Sequence, residues 1–181
     1  MRVISGSRRG ATLSAPRGRA TRPTGDRVRE ALFSILGAVA GERVLDLYAG
    51  SGALAIEALS RGAGRATLVD SSPAAIAAIH RNLRALDLTA EVRCQRAASF
   101  LDQARTATRQ YDLVFLDPPY RHVSVAGRDL SRALPPVLAP AARVVAESDR
   151  RAPLLLDLAL LDERRYGDTL IRIHRHDSVS P

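Results

Sequence analysis

From residue 43 onward, short apolar runs alternate with helix-like segments, and this alternation most limits the folds open to the chain. Arg43 to Leu47 reads as a strand, Ala53 to Ser60 as a helix stopped by Gly62 and Gly64, and Arg65 to Asp70 as a second strand. Ser72-Pro73 opens a helix to about Leu86, with Ser72 as its cap and Pro73 in its first turn. A strand near Ala90 to Cys94, a short helix near Ser99 to Ala107 and a strongly apolar strand from Tyr111 to Leu116 follow. Leu130 to Leu138 is partly helical, broken by Pro135-Pro136, and Arg143 to Ala146 is a strand. Leu160 to Tyr166 and Thr169 to His174, separated by Gly167-Asp168, read as an antiparallel pair. Such a pattern implies an α/β domain built on a mostly parallel sheet with helices on both faces. Ligands of these sheets lie at the carboxyl ends of the strands, so the residues that end strands are where chemistry is expected.

Ahead of this body lies a segment of different character. Residues 1 to 25 hold six arginines and no acid, so of the formal charge of +8 the remaining 156 residues carry only +2. Every basic residue in the chain is arginine. Arginine offers planar, bidentate contacts to phosphate, although a GC-rich genome, which also enriches alanine, explains the bias better. Two short strands, Arg2 to Ser5 and Ala11 to Ser14, read as a hairpin within this arm. Asp26 or Thr24 then caps a helix with apolar positions Val28, Ala31, Leu32, Ile35 and Leu36. The expected boundaries are an arm over 1–25 and one domain over 26–181, long enough to bury a core.

Glycine and proline at 6, 10, 16, 18, 23 and 25 break any amphipathic transit helix, and no run approaches the roughly 20 apolar residues of a membrane span. A cytoplasmic monomer is expected. Cys94, the single cysteine, excludes an internal disulfide and is expected to be a buried structural thiol.

The first strand of the body runs into Asp46-Leu47-Tyr48-Ala49-Gly50-Ser51-Gly52. Gly50, Gly52 and Ala55 match a dinucleotide fingerprint, with Asp70 at the interval of a ribose-binding acid. Asp46 argues against a dinucleotide. A carboxylate here is costly to desolvate unless paired, and beside a pyrophosphate it is repulsive. S-adenosylmethionine (SAM), which carries a sulfonium and an ammonium and no phosphate, reverses that sign. The alternative is that Asp46 merely accepts turn amides. Asp70 is placed to accept the ribose hydroxyls, or else to cap a helix beside Ser71 and Ser72.

Leu113 to Leu116 leads directly into Asp117-Pro118-Pro119-Tyr120. Two prolines make a rigid extended turn and remove two amide donors, so the Asp117 carboxylate and the Pro118 carbonyl are left as acceptors. That pair suits the two hydrogens of a base amine, freeing its lone pair for a methyl group. Tyr120 is placed to stack on the base. Because a paired base cannot be reached this way, the substrate is expected to be unpaired or flipped out. An ordinary surface turn is the bland alternative.

Taken in order, Asp46 to Gly52, Asp70 and Asp117 to Tyr120 resemble a class I SAM-dependent methyltransferase acting on an exocyclic amine. Arg2 to Gly6, Arg9-Gly10, Arg22-Pro23-Thr24 with Asp26 to Phe33, and Tyr166-Gly167-Asp168-Thr169 are similar to the RsmD family, over nearly the whole chain. That resemblance implies a Rossmann-like seven-stranded sheet with an antiparallel last hairpin, and methylation of N2 of one guanine in 16S rRNA within small-subunit particles. It also implies that Thr24 closes over the methionine end of SAM, that Tyr48, Ala49 and Ser51 line the cofactor loop with the glycines, and that Ser71 adjoins the ribose. Many relatives have a polar acceptor for the adenine where this chain has Arg96-Ala97-Ala98, so backbone atoms of Ala97 or Ala98 are assigned that contact. Arg8, Arg9, Arg17, Arg19 and Arg22 are candidates to hold RNA phosphates. The alternatives are a DNA methyltransferase, for which no target-recognition domain is visible, and a non-catalytic assembly factor on the same fold. The histidines, His80, His122, His174 and His176, lack metal-ligand spacing, and no metal site is expected.

Overall fold

A strand that is apolar on both faces has to be covered on both faces, and the first, second and fourth strands of this chain are of that kind. The computed structural model describes residues 1–16, 25–118 and 123–177. In the unit Met1–Gln95, β1 (Arg43–Leu47), β2 (Arg65–Asp70) and β3 (Glu91–Cys94) are parallel neighbours. Helix α2 (Ala53–Ser60) packs on β1 and β2, and α3 (Pro73–Ala85) on β2 and β3. Both helices turn a small, apolar stripe inward: Ala55, Ile56 and Ala58 on α2, and Ala75, Ala78, Ile79 and Leu83 on α3.

In the unit Arg96–Pro181, β4 (Tyr111–Leu116) lies parallel to β5 (Leu138–Asp149). There β7 (Thr169–Arg175) pairs antiparallel with both β5 and β6 (Ala159–Tyr166). Helices α4 (Ala97–Thr106) and α5 (Val123–Ala133) pack together with a short 3₁₀ turn, Pro135–Val137. The seven strands follow the order β3-β2-β1-β4-β5-β7-β6, the mostly parallel sheet with an antiparallel C-terminal pair that the resemblance implies. Among the described residues no helix is long and apolar enough to cross a membrane.

The arm departs from expectation. Its two strands shrink to one antiparallel bridge, Arg2 to Thr12, and residues 1–16 are fastened to the first unit. Val3 and Leu13 are buried in its core. Glu57 of α2, fully buried, accepts the amides of Ile4 at 2.7 Å and Ser5 at 3.0 Å. Ser7 N–H reaches the Ser60 carbonyl at 2.8 Å. Gly6 sits so close that a β-carbon there would lie 1.8 Å from the Ser60 oxygen, and its φ of +82° favours glycine as well. The described part of the arm, residues 1–16, is therefore packed against the first unit.

Helix α1 (Asp26–Leu36) also differs in phase. Its buried face is Arg29, Leu32, Phe33 and Leu36, while Ile35 is exposed and Val28 and Ala31 are half-buried. The phase is set by Arg29, whose wholly buried guanidinium donates to the Arg2 carbonyl and, at 2.8 Å, to Asp26. Gly25 takes the capping position, with Asp26 as the first helical residue. At α3, Ser72 does occupy the N-cap, but its hydroxyl makes no capping bond.

Three further expectations are corrected. Cys94 is exposed, because β3 is a short outer strand whose last two residues face solvent. Strand β5 begins at Leu138 rather than Arg143: Pro140 sits exposed where the pairing with β4 shifts register and Ala141 adopts φ +60°. Helix α5 begins at Val123, where two valines and Gly127 lower helix propensity and conceal it.

Candidate active site

The loop after β1 is built around two buried carboxylates. Asp46, 3% exposed, is delivered by the strand, and its Oδ2 accepts the Ala55 amide of α2's first turn at 3.2 Å. Burial pushes its pKa up to about 7; the Ala55 hydrogen bond opposes this and the Asp70 charge adds to it. Asp70, at the end of β2, accepts Gly50 N–H through Oδ2 at 2.9 Å and Ser72 N–H through Oδ1 at 2.8 Å. Both acids thus do the bland work of holding amides while their remaining acceptor capacity lies at the carboxyl ends of the strands.

Between them the chain turns sharply. Tyr48, with φ +66°, and Gly50 and Gly52, with φ +58° and +78°, are left-handed. A β-carbon on Gly52 would lie 2.8 Å from Leu68 Cδ2, so glycine is required where α2 begins on β2. A non-glycine residue held left-handed, as Tyr48 is, is characteristic of functional loops. Ala49 is buried, Ser51 half-buried and Ser71 exposed.

Asn82 is a functional candidate that motif reasoning missed. It lies on the buried face of α3, and its Nδ2 donates to the Ser51 carbonyl at 2.9 Å and the Ser14 carbonyl at 3.0 Å, while Oδ1 accepts Ser14 N–H at 2.8 Å. One side chain ties the glycine loop to the last described stretch of the arm. A lone polar residue in the apolar stripe Ala75, Ala78, Ile79, Leu83 was the available signal.

In the second unit, β4 carries Leu113 to Leu116, all buried, straight into half-buried Asp117 and buried Pro118. Pro119, Tyr120 and His122 lie outside the described residues, as do Arg17, Arg19, Arg22 and Thr24. Ala97 is buried and Ala98 exposed. They form the first turn of α4, whose N–H groups have no partner within a helix.

Of the described arm arginines, Arg9 is exposed. Arg8 instead closes the end of α3: its Nε donates to the Leu86 carbonyl at 2.6 Å and its Nη2 to the Asp87 carbonyl at 3.3 Å. His80 is exposed, while buried His174 contacts the Leu158 carbonyl at 3.1 Å and has its pKa lowered by burial. Among the described residues no cluster of three or more His, Cys, Asp or Glu side chains could hold a metal.

Comparison with known proteins places this loop arrangement in a family. The model of a family described as conserved hypothetical protein 95 matches residues 1–175. Bacillus subtilis YlbH is 38% identical over 97% of this chain and 98% of its own length. The Haemophilus influenzae ribosomal RNA small subunit methyltransferase D is 33% identical, over 97% of this chain and 94% of that protein. The chain belongs to the RsmD family. The solved structure of an Escherichia coli methyltransferase superposes with a TM-score of 0.83 at 34% identity, covering 98% of both chains. The fold is that of the SAM-dependent methyltransferases, and a Thermus thermophilus 16S rRNA N2 G1207 methyltransferase shares it at a TM-score of 0.69 and 23% identity, over 88% of this chain and 44% of that one.

Proposed function

We propose that this protein transfers a methyl group from SAM to the exocyclic N2 amine of a guanine in 16S rRNA, acting in the cytoplasm as a monomer on small-subunit particles. The observation that carries the reading is the pair of buried acids near strand ends, Asp46 and Asp70, combined with the Asp117-Pro118-Pro119-Tyr120 sequence that follows β4.

The residues present fit SAM. Asp70 and the glycine loop offer acceptors and close backbone approach to a ribose, and Asp46, desolvated and bonded to the Ala55 amide, gains from a neighbouring cation. Thr24 is assigned to the methionine end and the first-turn amides of α4, at Ala97 and Ala98, to the adenine. When bound, SAM supplies an electrophilic methyl on a sulfonium. Asp117 and the Pro118 carbonyl accept the two amine hydrogens and aim the nitrogen lone pair at that methyl carbon. With SAM held there, it would supply the methyl and keep the thioether left behind, and the surplus proton of the methylated amine would pass to Asp117 or water. Tyr120 stacks on the unpaired base.

Incubating the protein with radiolabelled SAM and assembled small subunits, naked rRNA or duplex DNA, then mapping the labelled nucleotide, tests the reading. Label on guanine N2 of 16S rRNA is expected. Label confined to DNA identifies a DNA methyltransferase, and no label with retained RNA binding identifies a non-catalytic assembly factor.

A further inference from the structure

The carboxyl edge of the second unit is stepped. Leu116, the last residue of β4, pairs with Ala146 of β5, yet β5 continues through Glu147, Ser148 and Asp149, paired all the way with β7. At about 3.3 Å per residue, the three-stranded wall of β5, β7 and β6 therefore rises roughly 10 Å beyond the point where β4 hands the chain to Asp117. Arg172, level with Leu116, and Arg165, Arg150 and Arg151 further up this wall surround a concavity of about 350 Å³, with Pro153, Leu170 and Glu163 completing its lining.

Charge in this concavity is incompletely balanced. Glu163 is shared by Arg165, at 3.0 Å, and Arg172, at 2.9 Å. Asp168 is shared by Arg150, at 3.3 Å, and Arg151, at 3.8 Å. Among the described side chains, four guanidinium groups thus share two carboxylates, with Asp149, which accepts Arg151 N–H at 2.8 Å, as a third acid close by, so a net positive charge remains for an anion. The Tyr166-Gly167-Asp168-Thr169 turn is what holds the pair in place, since Arg150 N–H also donates to the Asp168 carbonyl at 2.9 Å. The outer cations are free to reorient onto a ligand: the side chains of Arg151 and Arg165 are each 73% exposed.

We propose that this hairpin wall is a phosphate-binding surface that holds the RNA backbone beside the target nucleotide. The inference rests on the RNA methyltransferase reading. Arg172 is two strands from Leu116, through Ala146, which is about 10 Å at the spacing of neighbouring strands. A polynucleotide whose base amine sits at Asp117 has this edge within reach of its flanking phosphates, and fork-shaped guanidinium groups match phosphate oxygens bidentately. RNA accounts better than an acidic protein for a cationic surface adjoining the proposed chemistry.

The test uses the full chain and the variants Arg151→Glu, Arg165→Glu and the double variant, with Arg→Lys at both positions as a charge-retaining control. Binding to transcribed 16S rRNA and to assembled small subunits is measured across a salt series, SAM binding by calorimetry, and methyl transfer by the wild type in parallel. The salt slope should fall by about 0.7 for each phosphate that an arginine no longer neutralises, with weaker RNA binding in both Glu variants, near-normal binding in the Lys control and unchanged SAM affinity. Wild-type affinity and slope in the double variant overturn the proposal. So does a loss confined to assembled subunits, which places subunit protein on this face. A wild type that methylates neither RNA overturns the methyltransferase reading, whereas methylation with unaltered variant binding overturns the hairpin surface alone.

Discussion

The Asp70 carboxylate holds Gly50 by its amide at 2.9 Å while its other oxygen holds Ser72 at 2.8 Å, so one side chain fixes the glycine loop to the start of α3. An asparagine has one carbonyl oxygen, and its amide group would face an N–H donor. Asp70→Asn should therefore cost about 1–3 kcal/mol, the scale of a buried polar group left unsatisfied, and lower SAM affinity at least roughly tenfold. Urea unfolding and titration calorimetry measure the two effects. Unimpaired SAM binding in a folded Asp70→Asn protein would remove Asp70 from the cofactor site.

Asp46 predicts a pH dependence of unusual sign for an acid. Its folded pKa is about 7 against an ordinary 3.8, so between those values the native state holds a proton that the unfolded state has released. The contribution is fully present below about pH 4 and is lost as pH rises through 7. About three pKa units correspond to an upper bound on the order of 4 kcal/mol. Urea midpoints at pH 5 and pH 8 should differ in that direction, and Asp46→Asn should flatten the difference. A cationic ligand favours the ionised form, so SAM should bind more tightly at pH 8 than at pH 6 and release a proton, detectable by calorimetry in buffers of different ionisation enthalpy. Flat pH behaviour in the wild type would show that Asp46 remains ionised without a ligand.

Much of this was legible in the amino-acid sequence, and the exceptions share a cause. Strands Arg43–Leu47, Arg65–Asp70 and Tyr111–Leu116 and helix Ala53–Ser60 can be read to the residue, because buried elements with polar or glycine residues at their ends leave little latitude. The phase of α1 cannot be read from apolar spacing, since its inward face includes Arg29, a cation whose burial depends on an acceptor at Arg2 far back in the chain. Glu57 is hidden likewise: it looks like a polar interruption in α2 until the amides of Ile4 and Ser5 supply its partners. Strand-end acids stand out as site candidates because their cost is local. Asn82 did not, because its value lies in joining Ser14 to Ser51 across the fold.

Asp117 separates chemistry from binding. Asp117→Ala removes the acceptor proposed to aim the amine, and methyl transfer should fall by roughly a hundred- to a thousandfold, the scale of losing one oriented electrostatic contact in a site. SAM affinity should remain near that of the wild type, since Asp46, Asp70 and the glycine loop are untouched. Filter-based transfer assays and calorimetry together decide this, and retained transfer would reassign amine recognition to another group.

The arm needs a gentler test than deletion. Removing residues 1–25 would expose the sites of Val3 and Leu13, strip Glu57 of two amide partners and uncap α3 at Arg8, so a loss of RNA binding would report unfolding. Replacing Arg9, Arg17, Arg19 and Arg22 together with glutamine leaves those interactions intact. If all four hold phosphates, the slope of log affinity against log salt should flatten by up to about 3, at roughly 0.7 per phosphate of single-stranded RNA. The thermal midpoint should hold steady, as it would not on deletion. An unchanged slope would leave the arm as packing alone and shift the electrostatic part of RNA binding onto the catalytic body.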